Sequence, residues 1–344
     1  MHMHGGDIYG KTVELDFSAN LNFLGMPDAV RQAAKEGVDA SIHYPDPQCR
    51  ALRAALSEAE GVPADQILCG NGAADLIFGL ALAIKPKKAL VWAPGFHEYE
   101  QALETVGCSV SQIPLRKADG FAYRAESLEA VTPETDMLFF CNPQNPTGQT
   151  ASADFLTALL ERCQETGTLC VADECFLEFL DEEERFSVKP ALSYMKNLFV
   201  LKAFTKLYAM PGLRLGYGLC ADLNLLQRMR ESMQPWNVSV PAQRAGVAAL
   251  GETEYVRQTQ ALIRRERRFL KEELRALGCK IYGSKANFVF FQGPEDLAAF
   301  CLDRSILIRD CRNYQGLGPG YYRVAVRSRA ENTRLLEVLR ERMA

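Results

Sequence analysis

The sequence predicts an α/β fold: a mostly parallel seven-stranded sheet sandwiched by helices, with a smaller α+β module at the C-terminal end. Three observations carry this. Seven short apolar runs, ILCGNG, KALVWAP, SVSQIPL, MLFFCNP, LCVADECF, NLFVLKAF and RLGYGLC, fall between residues 67 and 220. Most of them are apolar throughout rather than alternating, which is the pattern of strands buried on both faces. Helical stretches separate most of them, which is the order of a parallel sheet covered on both sides. Beyond Gln234 the pattern changes to a long charged helix and short strands.

Taken in order, residues 1–44 read as an N-terminal arm and extended loop. Gly5 and Gly6 make the arm pliable, and the segment from Asp16 to Asn22 is rich in turn-forming residues. A helix is expected from Pro27 to about Glu36, followed by SIHYPDP, an extended loop fixed by its prolines. Residues 45–235 form the large domain. It opens with a helix from about Cys49 to Glu60, stopped by Gly61, and continues through the alternating runs. Residues 236–344 form the small domain. A charged helix covers about Thr253 to Leu277, and three strands are expected in KIYGSKANFVFFQ, ILIRDC and YYRVAV. The last helix opens with Ser328 and Glu331 in capping-box spacing.

Composition narrows the function. The chain has 344 residues, 48% hydrophobic and 24% charged, with a net charge of −4 and a pI near 5.8. Mild acidity argues against nucleic acid or an anionic membrane as partner. No apolar run approaches the length of a membrane span, and MHMHGGDIYG lacks the apolar centre of a signal peptide. The 11 cysteines form no C-x-x-C pair, and several lie inside apolar runs, as free thiols do. We expect a reducing, cytoplasmic setting. The four histidines have no metal-ligand spacing, so no metal is expected.

The chemistry gathers at the ends of the apolar runs. Lys206 follows NLFVLKAF in a turn, and Arg214 comes eight residues later, before the next run. A lysine in a partly desolvated crevice loses its proton readily and can attack a carbonyl. An arginine holds phosphate through its planar fork. Asp173 ends LCVAD, where it could pair with a protonated ring nitrogen or cap the next turn. Asn145 sits in the rigid turn NPQNPTG. Phe96 follows Pro94-Gly95 at another strand end and could stack on a flat ring or pack in a loop. In GNGAAD the backbone of Gly72, Ala73 and Ala74 opens a helix, where N–H groups can cradle a phosphate. Arg309 and Arg323 are single charges inside apolar strands, so each needs an anionic partner from the protein or from a ligand.

Together these motifs resemble the aspartate-aminotransferase-like superfamily of pyridoxal-phosphate enzymes. The order GNG, an aromatic after Pro-Gly, N-P-x-N-P-T-G, D-E, T-K and R-L-G-Y is kept along essentially the whole chain. The resemblance implies pyridoxal 5'-phosphate as cofactor, Lys206 as its Schiff-base lysine and Asp173 as partner of the pyridine nitrogen. It implies Asn145 on the ring hydroxyl and Phe96 stacked on the ring. Gly72, Ala73, Ala74, Thr205 and Arg214 would surround the cofactor phosphate, joined by Tyr44 from the second subunit of a homodimer with shared active sites. Arg323 matches the arginine that takes a substrate carboxylate. Ala203 departs from relatives that carry Ser or Thr there.

Within the superfamily the chain looks like the branch holding histidinol-phosphate aminotransferase and threonine-phosphate decarboxylase. HGGDI, DFSANLN and TKLYAMPGLRLGY resemble the decarboxylases, and DECF carries Phe176 where aminotransferases usually carry a tyrosine. That resemblance places His4 and Asn20 near a phosphorylated amino-acid substrate, with Arg309 and Arg323 on its anionic groups. It implies decarboxylation of L-threonine O-3-phosphate to (R)-1-amino-2-propanol O-2-phosphate, a step of cobalamin biosynthesis. The alternatives are transamination, with histidinol phosphate as substrate, and a non-catalytic cofactor-binding module.

Overall fold

The computed structural model describes residues 4–180 and 182–343. The outermost positions of the expected arm and small domain (1–3 and 344) lie outside them. The chain begins with a short strand, β1 (Leu15–Asp16), and two helices, α1 (Asp28–Asp39) and α2 (Arg50–Glu60). Then follow β2 (Ile67–Gly70), α3 (Ala73–Ile84), β3 (Lys88–Ala93), α4 (Glu98–Glu104) and β4 (Ser109–Pro114). Next come β5 (Met137–Cys141), α5 (Ala153–Thr166), β6 (Leu169–Asp173), β7 (Leu198–Ala203), α6 (Phe204–Leu207) and β8 (Gly216–Cys220). Helices α7 (Leu223–Ser232), α8 (Val240–Leu250) and α9 (Thr253–Ala276) lead to β9 (Lys280–Tyr282) and β10 (Phe288–Gln292). The chain closes with α10 (Leu297–Leu302), β11 (Ile306–Leu307), β12 (Arg309–Asp310), β13 (Tyr321–Ala325) and α11 (Arg329–Met343).

The seven expected strands form one sheet in the order β2-β8-β7-β6-β5-β3-β4. All neighbours are parallel except β8, which runs antiparallel to both β2 and β7. Apart from the edge strand β4, which is largely exposed, both faces are buried, and those strands lack polar alternation for that reason. Along β5, Met137 and Phe139 join the core on one face, and Leu138 and Phe140 join the core on the other. The parallel strands all end at one edge. There β2, β3, β5, β6 and β7 deliver their following loops to a common crevice.

The C-terminal part is a four-stranded antiparallel sheet, β12-β13-β10-β9. Here the boundaries differ from expectation. KIYGSKANFVFFQ is two strands, because Gly283 and Ser284 adopt positive φ (44° and 69°) and turn the chain back on itself. ILIRDC is also split. Its first half, β11, pairs parallel with β1 of the arm, and its second half pairs with β13. The arm is therefore built into the fold at this point: Ala325 N–H donates to Phe17 O at 2.8 Å. The final helix opens as expected, with Glu331 N–H donating to Ser328 Oγ (3.4 Å) and Ser328 N–H to Glu331 Oε2 (3.1 Å).

Candidate active site

The strand ends enclose a cavity of about 330 Å³ lined by residues from the arm, both sheets and the loops between them. Lys206 stands on its wall, in the one-turn helix α6 rather than the expected open turn. The backbone there is pinned from the arm: Asn22 N–H donates to Lys206 O at 3.0 Å, and Asn22 Nδ2 to Leu207 O at 2.9 Å. The amine lies 6.0 Å from the centre of the Phe176 ring. Burial, then the Arg323 and Arg214 guanidinium groups, lower its pKa to about 8. The amine is thus neutral far more often than an exposed lysine.

Asp173, at the end of β6, has both oxygens engaged. Cys175 N–H donates to Oδ1 at 3.0 Å, and the Tyr99 hydroxyl donates to Oδ2. Tyr99 stacks on Phe139 with centroids 4.6 Å apart, so its ring cannot swing away. Burial and the Asp173 charge push its hydroxyl pKa well up, so it remains a donor. Tyr99 escaped the sequence reading. Its signal is the amphipathic pattern of α4, which puts a hydroxyl-bearing residue on the buried face, where that hydroxyl needs a partner.

At the other end of the cavity, Ala73 and Ala74 open α3, and Thr205 and Arg214 face them. Gly72, one step outside the lining, has φ +82°, and a Cβ there would sit 2.7 Å from Arg214 Nη2. That positive φ favours glycine at the start of the helix, beside this guanidinium. Phe96 lines the wall, edge-on to Tyr99. Ala203 lines it too, without a hydroxyl to offer.

The arginines converge from the C-terminal sheet. Arg323 donates through Nη1 to Asn145 Oδ1 and through Nη2 to Ser18 O (3.0 Å), while its buried Nε has no partner. Arg309 donates to Asp310 O and to Asn313 Oδ1 (2.8 Å) and lies over the Tyr314 ring. Asn20 lines the cavity with its Oδ1 buried and unpartnered. His4 closes the edge beside Glu98, which the sequence reading also missed. Twelve predicted site residues therefore share one cavity: His4, Asn20, Ala73, Ala74, Phe96, Asn145, Asp173, Thr205, Lys206, Arg214, Arg309 and Arg323. Tyr44 does not. It is 79% exposed and stacks on Trp236 at 4.6 Å.

A model of the aminotransferase class I and II family matches residues 12–339. The chain belongs to this family. It is 41% identical to a threonine-phosphate decarboxylase of Salmonella typhimurium, over 95% of this chain and 90% of that one. Two solved structures share the fold closely. A histidinol-phosphate aminotransferase from Clostridium acetobutylicum superimposes with a TM-score of 0.89 at 28% identity, covering 96% of this chain and 99% of that one. An L-threonine-O-3-phosphate decarboxylase from Porphyromonas gingivalis does so with a TM-score of 0.83 at 25% identity and the same coverage.

The chain is a pyridoxal-phosphate enzyme, and the cavity fits that group. It offers a fully hydrogen-bonded carboxylate at one end and a buried amine with lowered pKa on the wall. It also sets a helix start and a guanidinium close together at a glycine of positive φ.

Proposed function

We propose that this chain decarboxylates L-threonine O-3-phosphate, releasing carbon dioxide and (R)-1-amino-2-propanol O-2-phosphate. The observation that carries the proposal is the likeness to a threonine-phosphate decarboxylase along 95% of the chain. The cavity agrees with such a substrate. Arg309 and Arg323 offer two guanidinium forks, and the substrate has two anionic groups to match them.

When bound, pyridoxal phosphate draws electrons from a bond at the substrate's α-carbon, which lets carbon dioxide leave. The protein's residues divide the remaining work. Ala73 and Ala74 N–H, Thr205 and Arg214 would hold the phosphate end of the cofactor. Asp173, fixed by Tyr99 and Cys175, would sit at the ring nitrogen, with Phe96 against the ring and Asn145 beside it. Arg323 and Arg309 bind the substrate's anionic groups, with Asn20 and His4 closing over them. Lys206 Nζ holds a proton and returns it to the α-carbon that has lost its carboxylate. Phe176 keeps that side of the amine apolar; it lies edge-on to Phe288 with centroids 5.2 Å apart.

We further propose that the enzyme is a cytoplasmic homodimer. All 11 cysteines are free and buried, which suits a reducing compartment. In such a dimer exposed Tyr44 would reach the second copy's cofactor phosphate. Among the described residues no helix is long and apolar enough to cross a membrane.

Transamination of histidinol phosphate is the second reading, supported by the close fold match to such an enzyme. Substrate charge tests the first. Threonine phosphate should be turned over with a far higher kcat/KM than threonine, because only the ester uses both guanidinium forks. Comparable values for the two would remove the phosphorylated substrate from the proposal.

A further inference from the structure

Glu98 stands out in a cavity built for anions. It opens α4 and lines the cavity wall beside His4, Phe96 and Arg309. Its side chain is only 16% exposed. One oxygen, Oε1, lies 3.3 Å from His4 Nδ1; the other, Oε2, is buried without a hydrogen-bond partner. Among the described residues no lysine or arginine forms an ion pair with it. A buried carboxylate oxygen with nothing to accept from is costly when ionised and inexpensive when it carries a proton.

The groups facing Glu98 come from every side. His4 approaches from the arm, His97 adjoins it and pairs with Glu100 (3.4 Å), and Lys206, Arg309 and Tyr314 approach across the cavity. Burial is the largest influence and raises the Glu98 pKa; a hydrogen bond from its own backbone N–H and then the nearby cations only partly oppose it. The neighbouring His4 is held below its ordinary pKa by burial and then by Arg309, so it is a poor proton donor near neutrality. A substrate bearing a carboxylate and a phosphate brings about three negative charges into this space. An ionised Glu98 would repel them, whereas a carboxylic acid would meet them with a donor.

We propose that Glu98 enters the substrate complex as the neutral carboxylic acid, donating its proton to an oxygen of the bound anion, so that wherever free Glu98 is ionised substrate binding takes up a proton at this residue. The proposal rests on the phosphorylated-substrate reading above. Glu98 would then set the upper pH limit of substrate binding and favour strongly anionic esters over amino acids with neutral side chains.

The test uses the cofactor-loaded enzyme and two unreactive probes, 1-amino-2-propanol O-phosphate and its O-sulfate. The sulfate carries no proton near neutral pH, so any proton linked to its phosphate-like group must reside on the protein. Calorimetry in buffers of different ionisation enthalpy reads proton uptake, and affinity is followed from about pH 6 to 8.5. Wild type should take up more protons than Glu98→Gln with either probe, the difference growing towards one as pH rises and free Glu98 ionises. Its affinity should fall by up to ~tenfold per pH unit more steeply than the variant's, whose amide donates without titrating. His4→Asn should keep the wild-type uptake. Equal uptake and equal slopes in wild type and Glu98→Gln would overturn the inference, as would loss of the uptake in His4→Asn alone. If wild type binds neither probe, the substrate reading itself falls, a result distinct from binding without proton linkage.

Discussion

In the proposed mechanism Lys206 carries the chemistry, and its surroundings weaken its hold on the proton. Its pKa of about 8 has burial as the main cause and Arg323 as the next. In cofactor-free protein, the rate of covalent pyridoxal-phosphate loading should therefore rise with pH and level off above about 8. Arg323→Gln removes a cation and should move that midpoint upward. The sign for stability follows the same shift. The folded value lies below the unfolded one, so the buried amine costs stability at neutral pH, and that cost disappears as pH rises through about 8 towards 10.5. Lys206→Ala should lower kcat by about 10²–10⁴-fold or more, and borohydride reduction followed by peptide mapping should mark Lys206 in wild type and nothing in the variant. Arg323→Ala removes charge-assisted bonds worth about 1.5–3 kcal/mol each, so substrate KM should rise on the order of 10–100-fold. Most of these residues were legible in the sequence because each stands next to a strand end or inside an apolar run. The same signal marks Lys202, a lone charge in NLFVLKAF that the sequence reading passed over. It is buried and pairs with Glu60 Oε1 at 2.7 Å. Glu98 and Tyr99 carry no such mark, since α4 reads as an ordinary amphipathic helix.

At the scale of elements, the sheet and the arm hold the site in register. Behind β7, away from the cavity, Glu60 at the end of α2 accepts from Lys202, Lys189 and Tyr217. Burial alone would raise its pKa, but these partners more than reverse that and hold it at about 2. A depressed carboxylate contributes stability above its unfolded value of 4.5, and that contribution is lost as pH falls towards about 2. Lys202→Met strands the buried carboxylate and should cost about 3–5 kcal/mol at neutral pH in chemical denaturation, with a smaller difference near pH 3. Asn22 links the arm to α6, its Nδ2 lying within reach of Leu207 O, Tyr255 Oη and Thr259 Oγ1. Asn22→Ala leaves the Leu207 carbonyl less satisfied and should cost about 1–3 kcal/mol in chemical denaturation, while the backbone N–H of residue 22 goes on holding Lys206 O. Most strands of the large sheet were legible because burial on both faces makes them apolar without interruption; β4, at the exposed edge, is not apolar in this way. The breaks in KIYGSKANFVFFQ and ILIRDC were not, because a switch of pairing partner, from β1 to β13 within five residues, leaves no trace in hydrophobic pattern.

At the scale of the whole molecule, Tyr44 is a predicted site residue that lies outside the cavity, and in the proposed homodimer a second chain would supply it. Ile42 (84%), Tyr44 (79%) and Trp236 (46%) form an exposed apolar patch, an unusual surface for a chain that acts alone. A solution mass of two chains is expected, and Tyr44→Ala should weaken cofactor retention while Lys206 can still be labelled. Full activity at the mass of a single chain would contradict the shared site. Family membership and fold are common to enzymes that break different bonds, so the reaction is where a direct measurement decides most. Purified enzyme loaded with pyridoxal phosphate is incubated with L-threonine O-3-phosphate and no oxo-acid acceptor, and carbon dioxide is followed against aminopropanol phosphate. Stoichiometric release of both, over many turnovers and unaffected by added 2-oxoglutarate, is the expected result. Turnover that requires 2-oxoglutarate and yields glutamate without carbon dioxide would contradict it.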